Sequence, residues 1–380
     1  MSHIFLVAAE DSGDAVGADV IDAMRARRPA VRISGIGGDR MKLRGASSDV
    51  NMSGLAVLGL VEGLKAYKRV KEAVAACADV IVKADPDSVV LIDSWGFMWR
   101  LARELKMRGA RAKRIKLIGP QVWATRPGRA RVLAKWVDHL LCIHPFEQPF
   151  YVKWGLPTTV IGNPALHRLP KGDGQAFRDR HGIDRDTPII GLLPGSRRSE
   201  MSRVAPTLME ATRIVRERDP RRQVVCMVSP AVVDEVRALA SSQSFPILLV
   251  MDDAEKADAY AAMTVAIACS GTVTTELAAQ GAVVVTGYKL GWITWGLLRA
   301  FLFKSRYSAL VNVAADREVI PEFIQTRFSA HKIAEAVELR LSDASVLEGQ
   351  RVAQRDAIRV MSGDGRSAAD ISADTILKLS

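Results

Sequence analysis

The sequence predicts an α/β protein of two Rossmann-like domains facing across a cleft. Three observations lead there. The chain has 380 residues, more than one hydrophobic core usually supports, so two domains are the default. Apolar strand-like runs alternate with amphipathic helix-like ones, the pattern of a parallel sheet covered by helices. Each half also opens on the same device, an apolar run that breaks into a small-residue turn. In the first half Ile4-Phe5-Leu6-Val7-Ala8-Ala9 runs into Glu10-Asp11-Ser12-Gly13-Asp14. In the second, Ile189-Ile190-Gly191-Leu192-Leu193 runs into Pro194-Gly195-Ser196-Arg197. A strand that turns sharply into a helix aims backbone N–H groups at one spot, which suits an anion. Two such units suit an enzyme that joins two phosphate-bearing substrates.

The first domain is expected over residues 1–165. Its strands are Ile4–Ala9, Val31–Ile36, Ser88–Ile92, Lys116–Ile118, His139–Ile143 and Thr158–Ile161, and its helices fall near Ala15–Arg27, Leu60–Val82, Met98–Arg108 and Arg129–Trp136. The polar stretch Leu166–Asp186, with Pro170, Gly172 and Gly174 close together, reads as the connection. The second domain is expected over 166–345, with strands Ile189–Leu193, Gln223–Val228, Ile247–Val250, Val265–Ala268 and Val283–Thr286. Its helices fall near Arg203–Asp219, Ala231–Ala240, Ala254–Met263, Thr274–Gln280 and Ala330–Leu341. Residues 346–380 read as a charged helical segment, broken at Ser362-Gly363-Asp364-Gly365. They are expected to pack on the first domain or on a partner subunit.

Composition is 48% apolar and 25% charged, that of a globular chain. A net charge of +11 favours anionic partners. The basic residues form no tract with interleaved aromatics, so phosphorylated substrates and an anionic membrane surface rank above nucleic acid. Cys77, Cys142, Cys226 and Cys269 are widely spaced and form no CxxC pair, which reads as buried reduced thiols in a cytosolic protein. Met1-Ser2-His3 leads straight into a strand pattern, so no export signal is expected. No uninterrupted apolar run reaches the roughly 20 residues of a spanning helix.

The Glu10–Asp14 turn is neither a GxGxxG fingerprint nor a Walker loop, which argues against NAD and ATP. Ser12 or Asp14 can cap the following helix there, and Gly13 eases the turn. Asp93 ends the run Val89-Val90-Leu91-Ile92, which puts a carboxylate at a strand's carboxyl end, where ligands of open α/β sheets bind. It is the candidate general base. A Pro/Gly-bounded loop, Gly119 to Arg129, carries Trp123, Arg126 and Arg129 and suits a phosphate beside an apolar group. In the second half, Ser196 and Arg197 lie on a glycine turn, where a guanidinium is a good phosphate partner. Ser270-Gly271-Thr272-Val273-Thr274-Thr275-Glu276 supplies amides and hydroxyls for a diphosphate, and Glu276 can accept from ribose hydroxyls. No DxD-like motif stands near this site, so no metal is expected. Two apolar patches, Leu55–Leu64 followed by Lys65, Lys68, Arg69 and Lys71, and Gly291–Lys304, suit either a headgroup surface or ordinary packing.

These motifs resemble those of the lipid-A-disaccharide synthase family, glycosyltransferases of the GT-B fold. The resemblance covers Ile4 to about Leu377. It rests on Glu10-x-Ser12-Gly13-Asp14, Gly59-x-x-Glu62, Ile92-Asp93, Pro120-x-Val122-Trp123-Ala124, Pro145-Phe146-Glu147, Leu193-Pro194-Gly195-Ser196-Arg197, Ser270-Gly271-Thr272-x-Thr274-x-Glu276 and Asn312-x-x-x-x-Arg317-Glu318-x-x-Pro321-Glu322. It implies inverting transfer of 2,3-diacylglucosamine from UDP to the 6-hydroxyl of 2,3-diacylglucosamine 1-phosphate, without a cofactor. Asp93 matches the family's essential aspartate; Arg197, Ser270–Glu276 and Asn312 match its UDP site. Members are cytoplasmic, peripheral on the inner membrane and able to form homodimers, with the region around Leu60–Val74 resembling the membrane-contacting part. The chain departs from the family at Ala9, Asp11, Ser94-Trp95-Gly96 and Gly162-Asn163-Pro164, the third of which removes a second carboxylate near Asp93. Competing readings are a UDP-sugar 2-epimerase, a peptidoglycan-type N-acetylglucosaminyltransferase and a non-catalytic membrane scaffold that would tolerate Asp93→Ala.

Overall fold

The structure is a computed structural model that describes residues 2–46, 63–291, 295, 305–363 and 365–380. The chain divides into two compact units, Met1–His167 with Met361–Ser380, and Arg168–Val360.

In the first unit β1 (His3–Ala8), β2 (Arg32–Ile36), β3 (Ser88–Ile92), β4 (Lys113–Leu117), β5 (His139–Cys142) and β6 (Thr158–Val160) form a parallel sheet in the order β2-β1-β3-β4-β5-β6. Ala8 lies opposite Ile92 where β1 and β3 end together. Alternate residues of β3 serve two cores, as the period of a strand requires. Val89 and Leu91 pack with Cys77, Ile81, Met98, Leu101 and Leu133 from helices Gly63–Ala84, Trp95–Met107 and Gly128–Trp136. Val90 and Ile92 pack with Ile21 and Met24 of helix Asp11–Arg27 and with Ala373 and Ile376 of the C-terminal helix Ala368–Leu379. Burial on both faces is why β1 and β3 read as unbroken apolar runs. Strand β4 begins three residues earlier than expected, because its charged residues Lys113, Arg114 and Lys116 hide the pattern.

In the second unit β7 (Ile189–Leu193), β8 (Gln223–Met227), β9 (Ile247–Val250), β10 (Val265–Cys269), β11 (Val283–Tyr288) and β12 (Glu322–Ile324) form a parallel sheet ordered β12-β11-β10-β7-β8-β9. Helices Ala205–Arg218 and Ala330–Ser342 pack Leu208, Ala211, Val215, Ile333 and Val337 onto Ile190, Leu192, Val265 and Val283.

Strand β12 pairs only with Thr286–Tyr288. The rest of the β11 edge is completed by side chains of helix Ala344–Ser362. Val284 N donates to Gln354 Oε1 at 3.0 Å, Gln354 Nε2 donates to the Ala282 carbonyl at 2.7 Å, and Gln350 Nε2 donates to the Val284 carbonyl at 2.7 Å. Buried main-chain groups must find partners, and two glutamines here do the work of a strand. The segment expected as one piece over 346–380 therefore divides. Its first helix is tied to the second unit's sheet edge, and its last helix packs in the first unit.

All four cysteines are buried and free. Among the described residues no helix is long and apolar enough to cross a membrane. Gly59, Glu62 and most of the two apolar patches lie outside the described residues.

Candidate active site

Each sheet has a topological switch point beside its first strand. β2 and β3 flank β1 on opposite sides, and β8 and β10 flank β7 in the same way. Connections that leave in opposite directions open a crevice at the carboxyl ends of such strands. The turns singled out in the sequence follow these four strand ends: Glu10–Asp14 after β1, Asp93 after β3, Pro194–Arg197 after β7 and Ser270–Glu276 after β10.

In the first unit the helix begins at Asp11 rather than near Ala15, since Asp14 N already donates to the Glu10 carbonyl at 2.9 Å. Ser12 is exposed in its first turn and Gly13 is buried there. Asp14 is no cap for its own helix. Its carboxylate is buried and accepts from Arg40 N at 2.9 Å and Met41 N at 3.1 Å, which holds the neighbouring turn. Asp93 and Ser94 both adopt left-handed backbone, with φ of 48° and 36°. Two successive non-glycine residues in that region store strain. Three contacts hold them: Asp93 N donates to the Leu117 carbonyl at 2.9 Å, Ser94 Oγ donates to Glu10 Oε1 at 2.7 Å, and Lys116 Nζ donates to the Asp93 carbonyl at 2.5 Å. Arg126, also left-handed and exposed, follows β4 on the same carboxyl edge. Arg129 lies over the Trp95 ring at 5.4 Å; burial and the Arg126 charge lower its pKa.

The second crevice is a cavity of about 470 Å³ whose walls include Gly195, Ser196, Arg197, Lys256, Ser270, Gly271, Thr272 and Glu276. That volume lies in the range of small-ligand sites. The Gly195 turn is built differently from the expectation. Buried Glu200 fills its cradle: Oε2 accepts from Ser196 N at 2.8 Å and Arg197 N at 3.2 Å, and Oε1 accepts from Arg197 Nη1 at 3.2 Å. These amides therefore face the protein's own carboxylate. What remains for a ligand is the guanidinium of Arg197, whose side chain is 76% exposed. The sequence signal for Glu200 is its place three residues after the N-cap Arg197, the capping-box spacing.

The β10 turn does offer amides. Ser270 N donates to the Gly287 carbonyl, whereas the N–H groups of Gly271, Thr272 and Val273 donate to no described residue. Thr274 is buried and donates to the Gly271 carbonyl at 2.7 Å, so its hydroxyl is structural. Glu276 Oε2 pairs with Lys256 Nζ at 2.8 Å on the cavity wall. Asn312 is fully buried and its amide is saturated. Nδ2 donates to the Ile320 carbonyl and Glu322 Oε1, and Oδ1 accepts from Val319 N and Ile320 N. An amide has no further capacity, so the side chain matched to the UDP site is a tether. Glu322 in turn accepts from Ser308 N at 2.9 Å and Ala309 N at 2.7 Å, and Ser308 Oγ sits 3.3 Å from Ser270 Oγ. Among the described residues no His/Cys/Asp/Glu cluster could hold a metal ion.

Two parallel Rossmann-like sheets, each with a crevice at its switch point, define the GT-B fold. The same fold occurs in the UDP-N-acetylglucosamine 2-epimerase of Neisseria meningitidis bound to UDP-GlcNAc, with a TM-score of 0.64, 12% identity and 100% of each chain covered. It occurs too in MurG of Acinetobacter baumannii, at 0.61, 15% and 100% of each chain. Residues 4–376 match the family model of lipid-A-disaccharide synthetase. The lipid-A-disaccharide synthase of Rhodospirillum centenum is 38% identical over 91% of this chain and 87% of its own. That of Gluconobacter oxydans is 36% identical over 99% and 90%. The chain belongs to the lipid-A-disaccharide synthase family.

Proposed function

We propose that this chain transfers 2,3-diacylglucosamine from UDP-2,3-diacylglucosamine to the 6-hydroxyl of 2,3-diacylglucosamine 1-phosphate. The products are the β-1,6-linked lipid A disaccharide 1-phosphate and UDP. The observation that carries this reading is the Asp93 carboxylate on a strained turn at the switch point of one unit, in a chain whose other unit bears a nucleotide-sized cavity with an exposed arginine at the equivalent place. Strain persists where the surroundings over-determine it, and such places cluster at active sites.

Asp93 takes the proton of the acceptor hydroxyl as that oxygen attacks the anomeric carbon. The bond from that carbon to the β-phosphate oxygen breaks, and its electron pair leaves with UDP. Charge that develops on the diphosphate is met by Arg197 and by the N–H groups of Gly271, Thr272 and Val273. Lys256 and Glu276, paired with each other on the cavity wall, serve the ribose hydroxyls. Arg126, with Ser12 and Gly13 at the helix start, serves the acceptor's phosphate. Acylated substrates place the reaction at an anionic membrane surface, with the protein cytoplasmic and peripheral on the inner membrane.

The test is incubation of purified protein with both substrates in mixed micelles, with UDP and disaccharide followed by mass spectrometry. Wild type should form both, and Asp93→Ala almost none. Folded protein that forms neither would sink the reading.

A further inference from the structure

Lys116 is a buried charged side chain of the first unit that neither the family motifs nor the mechanism above uses. It lies in β4 and is 1% exposed. Its Nζ donates to the carbonyls of Leu91 at 3.1 Å, Leu117 at 3.1 Å and Asp93 at 2.5 Å. An ammonium has three donors, and here each meets a main-chain carbonyl while none meets a carboxylate. Burying a cation is expensive; burial pulls this amine down to about 7, against the opposing charge of the Asp93 carboxylate. Its pairing partners across the sheet, Leu91 of β3 and Leu140 of β5, are fully buried apolar residues, so the sheet itself does not call for a lysine.

What the three carbonyls share is the place where β3 and β4 end. Asp93 N donates to the Leu117 carbonyl, and Lys116 Nζ binds both that carbonyl and Asp93's own. Asp93 is thus gripped at its N–H and at its C=O, both times from β4. The grip closes on the residue where the backbone turns left-handed, and Ser94 continues the turn at φ 36°. We propose that Lys116 is a positioning residue, whose ammonium locks the left-handed Asp93–Ser94 turn and so presents the Asp93 carboxylate to the acceptor hydroxyl. This rests on the reading of Asp93 as the base.

The experiment compares Lys116→Met, which keeps the length and loses the donors, with wild type, Asp93→Asn, Ser94→Gly and Lys116→Met/Ser94→Gly. Of the three bonds that Lys116→Met removes, loss of the charge-assisted one to the Asp93 carbonyl should lower kcat about 10- to 100-fold. The KM for the UDP-sugar and the Kd for UDP should stay within about twofold, because that cavity is built from other residues. Glycine takes left-handed backbone without strain but loses the Ser94 Oγ bond to Glu10, so Ser94→Gly alone is the reference, and Lys116→Met should lower kcat at least about threefold less in that background than in wild type. A purely structural lysine would give no such difference. Wild-type kcat in Lys116→Met, or a loss that Ser94→Gly leaves untouched, would overturn the proposal. If Asp93→Asn stays fully active, the reading of the base fails and takes this one with it. If Asp93→Asn is inactive and Lys116→Met normal, only the role of Lys116 fails. Should the methionine variant not fold, Lys116→Gln, which is shorter and uncharged and so cannot reach all three carbonyls, must show a loss in kcat with KM kept or the proposal falls.

Discussion

Two glycines in one cavity wall should respond oppositely to the same methyl group. Gly195 has φ +124°, and a Cβ built on it would lie 2.6 Å from Glu200 Cβ and 2.7 Å from Glu200 Oε2. Gly271 has no atom within 4 Å of its built Cβ and no positive φ. Gly195→Ala therefore meets two obstacles. Its backbone conformation costs an L-residue about 1–3 kcal/mol. Relief of the clash moves Glu200, whose carboxylate bonds Ser196 N and Arg197 N; each such charged bond is worth about 1.5–3 kcal/mol. Part of that returns as new solvation, so the net penalty is about 3–5 kcal/mol.

The penalty appears in one of two measurements. If the loop stays native, the thermal midpoint of the unit falls by about 6–20 °C. If the loop yields, Ser196 and Arg197 leave their places in the cavity wall, and the Kd for UDP in calorimetry rises about 100-fold. Gly271→Ala should keep its stability within about 0.5 kcal/mol of wild type. Wild-type melting together with wild-type UDP affinity in Gly195→Ala would refute the argument. So would equal destabilisation by the two alanines, since local geometry alone separates them.

Other consequences follow from buried and surface groups. Gln354→Ala strips partners from Val284 N and the Ala282 carbonyl and should cost about 2–6 kcal/mol in urea denaturation, at about 1–3 kcal/mol per unsatisfied group. Burial raises the Glu147 carboxyl from 4.5 to about 8, against the backbone N–H groups of Ile143 and His144. The native state thus holds a proton that the unfolded chain has lost between those values, so stability falls as pH rises through that window, by at most about 1.4 kcal/mol per pH unit. Glu147→Gln should flatten the slope between pH 5 and 7, and an unchanged slope would count against the burial argument. Helices Trp95–Met107 and Gly128–Trp136 and the segment 148–154 carry one acid, Glu104, and it is paired with Arg108. Their outer surface sets Arg103 and Lys106 near the Trp136 ring, and Arg131 and Lys153 near Trp154. Charge reversal at Arg103, Arg131 and Lys153 should weaken sedimentation with phosphatidylglycerol vesicles about 100-fold or more, at about 1 kcal/mol per basic residue. Equal binding by variant and wild type would remove this face from the membrane reading.

How far the sequence carries depends on which physical constraint a residue answers. Strands β1, β3, β7 and β10 are legible because burial on both faces demands unbroken apolar runs, and the turns after them are legible because small residues must follow. Strand β4 is half hidden by Lys116, whose aliphatic stem is buried like a leucine while its ammonium answers to three carbonyls. Gln350 and Gln354 look like the solvent side of an amphipathic helix. Their role exists only because β12 is too short to cover β11, a fact of tertiary pairing that no local pattern records.

The candidate sites show the same limit in a sharper form. Thr274 and Asn312 belong to the motifs as fully as Arg197 and Thr272 do, yet their hydrogen-bonding groups are spent inside the protein, as are those of Glu200 just beyond the Arg197 turn. Arg197 keeps an exposed charge, and Gly271, Thr272 and Val273 keep their amides. A motif therefore mixes the groups that meet a ligand with the groups that hold those in place, because one turn must do both. Only the count of satisfied donors and acceptors separates them. By that count the second crevice offers one guanidinium and three amides to a diphosphate, and its buried carboxylate and amide serve to keep them there.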